Sequence, residues 1–394
     1  MDAADFLVVG AGVAGAGMAW ALASAFEGKP SASPSPSARI VLLEREAQPG
    51  YHSTGRSAAV FSETYGNDTI RALTRASRAF FERPPEGFSE HPLWSRRAWL
   101  YVARADQLAQ LDAWYAHART LVPELERLDA VQTLHRAPLL REGYAAGSVL
   151  EPDGADLDVD ALHRGFLRAA QHCGARLECD AEVATVERAD GMWRVRTRRG
   201  ASFGARVLVN AAGAWGDEIA ALAGVAPIGL QPKRRTAILF PAPPQFDLRD
   251  APVVVDIDES FYFKPDAGKL LGSPADETDC APCDAQPEEL DVAIAAARIE
   301  EAVRFPITRV ERKWAGLRSF APDRTPVVGY DDAVDDFFWL VGQGGYGIQT
   351  APALARVAGA LARLEPLPAD VVAEGVDETS LSPMRLRARR HASG

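Results

Sequence analysis

The sequence predicts an α/β fold, in which a parallel sheet flanked by helices is joined to a lobe built on an antiparallel sheet. Three observations predict it. The chain opens on an apolar strand, a glycine turn and an alanine-rich helix, DFLVVGAGVAG. Its middle carries short segments that alternate apolar and polar residues or read as compact apolar strands. Its 394 residues also exceed what one core usually serves, so two lobes are expected.

The elements follow in order. Phe6, Leu7, Val8 and Val9 form a continuously apolar run ending in glycine, as a strand buried on both faces does. In GAGVAG, Gly10 and Gly12 allow a tight turn and close backbone approach to a pyrophosphate, and Gly15 lets the next helix pack on the strand. The N–H groups opening that helix stabilise negative charge. ARIVLLERE supplies a second strand whose terminal Glu44 can accept hydrogen bonds from ribose hydroxyls, completing a dinucleotide fingerprint. Glu44 stands 29 residues beyond Gly15, where about 20 is usual. The proline- and serine-rich EGKPSASPSPSA between helix and strand reads as a surface insertion that explains the excess.

Further along, AEVATVER and MWRVRTR flank ADG as a hairpin does, ARVLVNAAGAW is an apolar strand breaking into small residues, and TAILF and SFYFKP read as strands. PEELDVAIAAARIEEAVRF is a helix, with Leu290, Ile294 and Ala297 on one face. Near the end, DDFFWLVGQGGYGIQTAPALARVAGALA is a strand, a glycine-rich turn and a helix. The expected partition gives residues 1–90, 150–225 and 325–375 to a Rossmann-type lobe and 91–149 and 226–324 to a discontinuous antiparallel-sheet lobe; 376–394 form a tail, whose basic end RLRARRHASG is expected to fray. No fixed-period repeat is visible, which argues against solenoids and propellers.

Composition excludes several classes. A net charge of −11 does not draw nucleic acid over the whole surface. No run of eighteen apolar residues and no signal-peptide pattern occurs, so a cytoplasmic protein without a membrane segment is expected. Cys173, Cys179, Cys280 and Cys283 include the DCAPC pair, but no second pair or nearby histidine completes a zinc set, so no metal is expected.

The fingerprint alone fits NAD and FAD equally. FAD is favoured by the small residues after VLVN, by the glycine-rich turn before the last long helix, whose N-terminus can face a flavin ring, and by GYHSTGRSAAVFSETYG, which follows the second strand within a few residues. In this order the stretches resemble the D-amino-acid oxidase superfamily of FAD enzymes, and more closely its bacterial D-arginine dehydrogenase type. The words VLEREAQPGYHSTGRSAA, VLVNAAGAW, GLQPKRR, DESFYFKPDAG, WAGLRSF and QGGYGIQT carry the resemblance over nearly the whole chain.

The resemblance implies non-covalent FAD and oxidative deamination of a D-amino acid to the imine, then to 2-oxo acid and ammonia, by hydride transfer from Cα to flavin N5. Beside Gly10, Gly12, Gly15 and Glu44, the cofactor contacts it implies are Val13, Ala14, Arg45, Ser53, Thr54, Gly55, Arg56, Ser57, Ala58, Ala59 and Val60. Val183, Ala212, Gly213, Trp215, Gly344, Gly345, Tyr346, Gly347, Ile348 and Gln349 complete that set. Arg318 is the expected carboxylate clamp, because a guanidinium fork matches a carboxylate bidentately. Tyr262 is a second donor and Arg235 a third, while Tyr65 and Tyr346 close the site. Carbonyls between Gly345 and Ile348 would accept the amine. Arg318, Tyr65 and Tyr262 are thus the expected catalytic residues, with Trp99, Arg235, Gly345, Tyr346 and Ile348 about the substrate.

The chain departs from the family in two places. Trp99 stands where the D-arginine enzymes carry the carboxylate that reads a cationic side chain, so an apolar or aromatic side chain is expected; Val60 stands where they carry a histidine near the flavin. Glu63 either reaches a cationic side chain from beside Tyr65, if that piece is extended, or is a solvated acid. A covalent flavin link is disfavoured by the lack of cysteine in GQGGYGIQ, with His52 and His91 as the remaining candidates. Two other readings stay open: oxidation of a secondary or N-methyl amino acid or a 2-hydroxy acid, and a flavin-binding module without turnover. The electron acceptor (quinone, electron-transfer protein or oxygen) and the oligomeric state have no sequence signal.

Overall fold

The computed structural model describes residues 3–26 and 39–387, so the proline- and serine-rich insertion and residues 388–394 lie outside the described residues. The first strand, Ala3–Val9, pairs in parallel with Ile40–Leu43 on one side and with Ser202–Asn210 on the other. Arg176–Glu178 and Phe337–Val341 extend the parallel row at its two ends. Ile40–Leu43, Phe337–Val341 and the second half of Ala3–Val9 are continuously apolar, as strands covered on both faces are, whereas the edge strand Arg176–Glu178 reads Arg-Leu-Glu. Helices Val13–Phe26, Val159–His172 and Ala351–Ala362 share one core with Asp68–Glu82 on one face. Gly17 and Gly359 allow the close approach: a Cβ at Gly17 would come to 3.0 Å of Ala355, and one at Gly359 to 2.9 Å of Ala21.

The hairpin expected around ADG is present. Val183–Ala189 and Met192–Thr197 pair antiparallel across Asp190 and Gly191, both with positive φ, as a two-residue turn matched to strand twist requires.

A nine-stranded sheet forms the second lobe. Gln231–Phe240 and Arg312–Phe320 are its longest pair, and Lys269–Ser273, Tyr262–Asp266, Val253–Asp256, Trp99–Ala103, Gly147–Glu151 and Glu126–Asp129 follow in order. All its pairings are antiparallel except that of Val253–Asp256 with Trp99–Ala103. A small sheet of Val60–Phe61, Ala155–Leu157 and Trp94–Arg96 lies where the chain passes between the two large ones.

Two expectations are corrected. The helix Glu289–Ala302 buries Val292, Ala295, Ile299 and Ala302, whereas Leu290 is 68% exposed and Ala297 faces solvent. Leu290 falls in the first turn, and an alanine-rich helix gives little contrast by which to choose a face. The basic end is docked through residue 387: Leu386 is buried, Arg385 pairs with Asp323 at 2.9 Å, and Arg387 pairs with Asp331 at 2.7 Å. The acids awaiting those arginines lie far upstream, which local composition does not reveal.

Candidate active site

The glycine turn is fixed by backbone crowding. Gly10 has φ +101°, and a Cβ there would stand 2.5 Å from the Ala211 carbonyl oxygen. A Cβ on Gly15 would stand 1.9 Å from the Gly10 oxygen, so the helix packs this closely on the turn only without one. Glu44, 7% exposed, accepts from the Ala11 and Glu46 N–H groups, each at 3.1 Å. Burial pushes its carboxyl pKa up, against these two bonds. Thr54 Oγ1 accepts from Val13 N at 3.0 Å, tying the stretch after the second strand to the first helical turn. His163 holds the turn from behind, its Nε2 2.8 Å from the Ala11 carbonyl oxygen, and burial lowers its pKa. The oxygen only accepts, so Nε2 carries the proton in that bond.

Beyond the turn opens a chamber of about 660 Å³, within the range of a cofactor pocket. Gly10, Gly12, Val13, Ala14, Glu44 and Arg45 line it, as expected. So do Ser53, Thr54, Arg56, Ser57 and Ala58 from the next stretch, Val183, Ala212, Gly213 and Trp215 from the centre, and Gly344, Gly345, Gly347 and Ile348 from the late turn. The Arg56 guanidinium is engaged elsewhere: it donates to the Ala285 and Ala315 carbonyls at 2.8 and 3.1 Å and pairs with Asp284. His52 also faces the chamber, with Nε2 2.9 Å from Glu46 Oε1 and its ring 4.7 Å from Trp215, while His91 is exposed and outside it.

Several expected contacts stand elsewhere. Gly15 and Gly55 do not line the chamber, because both are spent on chain packing; a Cβ on Gly55 would meet the Gly50 oxygen at 2.7 Å. Ala59, Val60 and Gln349 line a second, smaller cavity of about 70 Å³. Tyr346 lines neither: its ring is 8% exposed, packed 4.8 Å from Tyr65 and 6.4 Å from Phe320, and its phenol is pushed up to about 12, chiefly by burial.

Ser57, Ala58, Arg235, Tyr262, Arg318, Gly345 and Ile348 line both cavities, so these residues form the junction. Strand register produces it. Lys233 lies opposite Arg318 in the antiparallel pair, and Arg235 two residues on shares that face. Arg235 donates to the Asp276 carbonyl at 2.7 Å and pairs with Glu277 at 3.3 Å. Its pKa is lowered by burial first and by the Arg318 charge second. Arg318 donates to Tyr65 Oη at 3.1 Å, and among the described residues no carboxylate lies within ion-pair distance of it. Gly345 makes room for it, since a Cβ there would stand 2.7 Å from Arg318 Nη1. Two guanidiniums on one face, one without a carboxylate partner, make a site that an anion completes.

Tyr65 and Trp99, both expected, line the smaller cavity together with Tyr101, Phe261 and Tyr262. Sequence reasoning missed Tyr101, Phe261, Lys264 and Glu259 there. Lys264 is neutralised by Asp156 at 2.7 Å. Glu259, the one carboxylate among the described residues lining this cavity, is exposed on the turn between Val253–Asp256 and Tyr262–Asp266, with φ +54°. The DES before FYF was the available signal. Glu63 does neither thing expected of it: residues 63–66 form turns and bends rather than a strand, and its carboxylate pairs with Arg78 at 2.9 Å. Cys280 and Cys283 bring their sulfurs to 3.5 Å, and no group of three metal-ligating side chains occurs among the described residues.

The chain is similar to proteins of known name. It is 25% identical over 374 residues to human mitochondrial dimethylglycine dehydrogenase, covering 88% of this chain and 41% of that protein; it thus spans about two fifths of that relative's length. Its fold matches the glycine oxidase of Geobacillus kaustophilus with TM-score 0.80 at 19% identity, covering 96% and 99% of the two chains. The L-proline dehydrogenase of P. horikoshii matches with TM-score 0.78 at 18% identity, covering 98% of each. The model of the DAO family, described as FAD dependent oxidoreductase, matches residues 5–361, and with the glycine turn and chamber in place the chain belongs to that family.

Proposed function

We propose that this FAD-dependent enzyme oxidises the Cα–N bond of a small amino acid, with a D-amino acid as the first expectation and the imine, then the 2-oxo acid and ammonia, as products. The observation that carries the reading is Arg318, a cation without a carboxylate partner at the junction of a cofactor-sized chamber and a smaller aromatic cavity. FAD would be held non-covalently by residues of the glycine turn and of the 344–348 turn, and would supply the two-electron acceptor. Arg318 and Tyr262 bind the substrate carboxylate, with Arg235 adding positive potential behind them. Tyr65, Trp99 and Phe261 exclude water from the side chain, and aromatic walls fit an apolar or aromatic one better than a cation. Main-chain carbonyls from Gly345 to Ile348 accept the amine.

Among the described residues that line both cavities there is no carboxylate or imidazole, and Glu259 lines the smaller one alone. An amine bound as the neutral form needs no base, and reduction should then quicken as pH approaches the substrate's own amine pKa.

A second reading is favoured by dimethylglycine dehydrogenase, whose name gives an N-methylated amino acid. The same carboxylate clamp serves a secondary or tertiary amine. Anaerobic stopped-flow absorbance decides between them, mixing the yellow protein with D- and L-amino acids of apolar, aromatic and cationic side chain, with sarcosine and dimethylglycine, and with 2-hydroxy acids. Bleaching by D-amino acids alone supports the first reading, and bleaching by N-methyl glycines alone the second. No bleaching by any of them overturns both and leaves a flavin-binding module.

A further inference from the structure

Glu151 is 1% exposed and ends the strand Gly147–Glu151, opposite Trp99 in the antiparallel pair with Trp99–Ala103. No cation lies within ion-pair distance of it among the described residues. Its carboxylate instead accepts from three consecutive residues: Glu63 N on Oε1, and Ser62 Oγ and Thr64 Oγ1 on Oε2, each at 2.7 Å. Tyr101 Oη lies 3.0 Å from Thr64 Oγ1 and closes the cluster. The next residue is Tyr65, whose hydroxyl meets Arg318. The same turn is held by two further bonds: Ser62 N donates to Gln349 Oε1 at 3.3 Å, and Arg71 Nε donates to the Thr64 carbonyl at 3.1 Å.

We infer that Glu151 is a positioning residue of the active site: by gathering three donors of residues 62–64 it sets the turn that presents the Tyr65 hydroxyl to Arg318. It touches neither cavity itself. A buried carboxylate without a counter-cation is a costly way to stabilise a turn, and this one accepts from a backbone N–H that an apolar residue would leave unpaired and from two hydroxyls that would then keep only each other and Tyr101.

The inference rests on the carboxylate-binding reading of the junction, and its test separates the two. Binding of benzoate to the FAD-loaded protein is followed by the change in the flavin spectrum, which needs no turnover. Glu151→Leu should weaken benzoate binding about tenfold or more, since each lost bond to a charged group is worth roughly one decade. Glu151→Gln should stay within about threefold, because its carbonyl keeps the Glu63 N–H and the two hydroxyls can turn to accept from its amide. In the Tyr65→Phe background the Glu151→Leu effect should shrink to less than about threefold, as coupled positions do.

Thr64→Val, which removes one donor and keeps the shape, decides the matter should Glu151→Leu not fold; it should weaken binding several-fold. Wild-type binding retained in Glu151→Leu, or in Thr64→Val when the former does not fold, overturns the inference, as does an undiminished effect of Glu151→Leu in the Tyr65→Phe background. Absence of benzoate binding in the wild-type protein sinks the site reading, and the inference with it.

Discussion

Replacing Arg318 by Met separates affinity from stability and predicts opposite signs for the two. Arg318 is half-buried, faces both cavities, and has the Tyr65 hydroxyl as its hydrogen-bond partner. Truncating one member of a buried, hydrogen-bonded charge pair costs about 2–5 kcal/mol of binding, which corresponds to roughly 30-fold to a few thousand-fold in Kd. Only the bond to Tyr65 is lost in the ligand-free protein, while the cost of holding a guanidinium with no counter-charge is relieved. Arg318→Met should therefore melt at or above the wild-type temperature, keep its FAD and lose benzoate binding by about two decades. Arg318→Lys should fall between, since an ammonium keeps the charge and loses the fork. Spectral titration with benzoate and thermal melting, on protein of equal flavin content, measure both quantities. A Kd within about threefold of wild type would refute the clamp, because it is well below the loss of even one charged hydrogen bond. A clear drop in melting temperature would refute the argument that Arg318 is held for its ligand.

Four further outcomes follow from the same geometry. Gly345→Ala puts a Cβ 2.7 Å from Arg318 Nη1; displacing the guanidinium should lower kcat/KM by about tenfold to a hundredfold, with flavin content per mole of protein unchanged. Gly15→Ala, whose Cβ would meet a backbone oxygen at 1.9 Å, should yield protein that is colourless or insoluble, whereas Gly12→Ala, facing the Thr54 hydroxyl at 3.2 Å, should only weaken FAD binding; visible absorbance of the purified proteins reads this. Glu259→Leu should lower the ratio of flavin reduction rates with cationic and with apolar substrates by up to about tenfold, as expected of an exposed carboxylate. His163 has its pKa lowered by burial, so the unfolded chain takes up a proton first as pH falls. Its contribution to stability is present above the unfolded pKa of about 6.5 and declines as pH drops below it toward the folded value. The urea midpoint should fall less between about pH 7 and about pH 5 in His163→Gln than in wild type.

Chemistry written in consecutive residues was legible in the sequence. The turn from Gly10 to Gly15, Glu44 at the strand end and the hairpin at Asp190 and Gly191 each depend on backbone demands that only certain residues meet. Arg318, Tyr262 and Tyr65 were legible through family words rather than through spacing. What escaped depends on register between distant strands. Glu151 lies opposite Trp99 because two strands of the second sheet pair that way, and the apolar run before it announces a strand without saying which face is used. Tyr101 and Phe261 were hidden in the same manner. Tyr346 was misplaced because a glycine-rich turn suggests cofactor contact for all its members, whereas the one bulky ring in it turns inward against Tyr65.

This division has a consequence for how the fold accommodates different substrates. At the glycine turn the chamber is shaped by main chain: a Cβ on Gly10 would stand 2.5 Å from the Ala211 carbonyl oxygen, so that end cannot drift while the cofactor stays. The smaller cavity is defined by side chains on the second sheet, where Trp99, Phe261 and Glu259 change without touching those backbones. The junction is the exception, because Arg318 answers to both: its guanidinium needs Gly345 from the first lobe and Tyr65 from the stretch between the lobes. A change there should therefore show first in carboxylate binding, and Trp99→Leu, which removes the ring packed 5.9 Å from that of Tyr65, should alter side-chain preference in a substrate panel and weaken benzoate binding by about threefold or more through that shared partner.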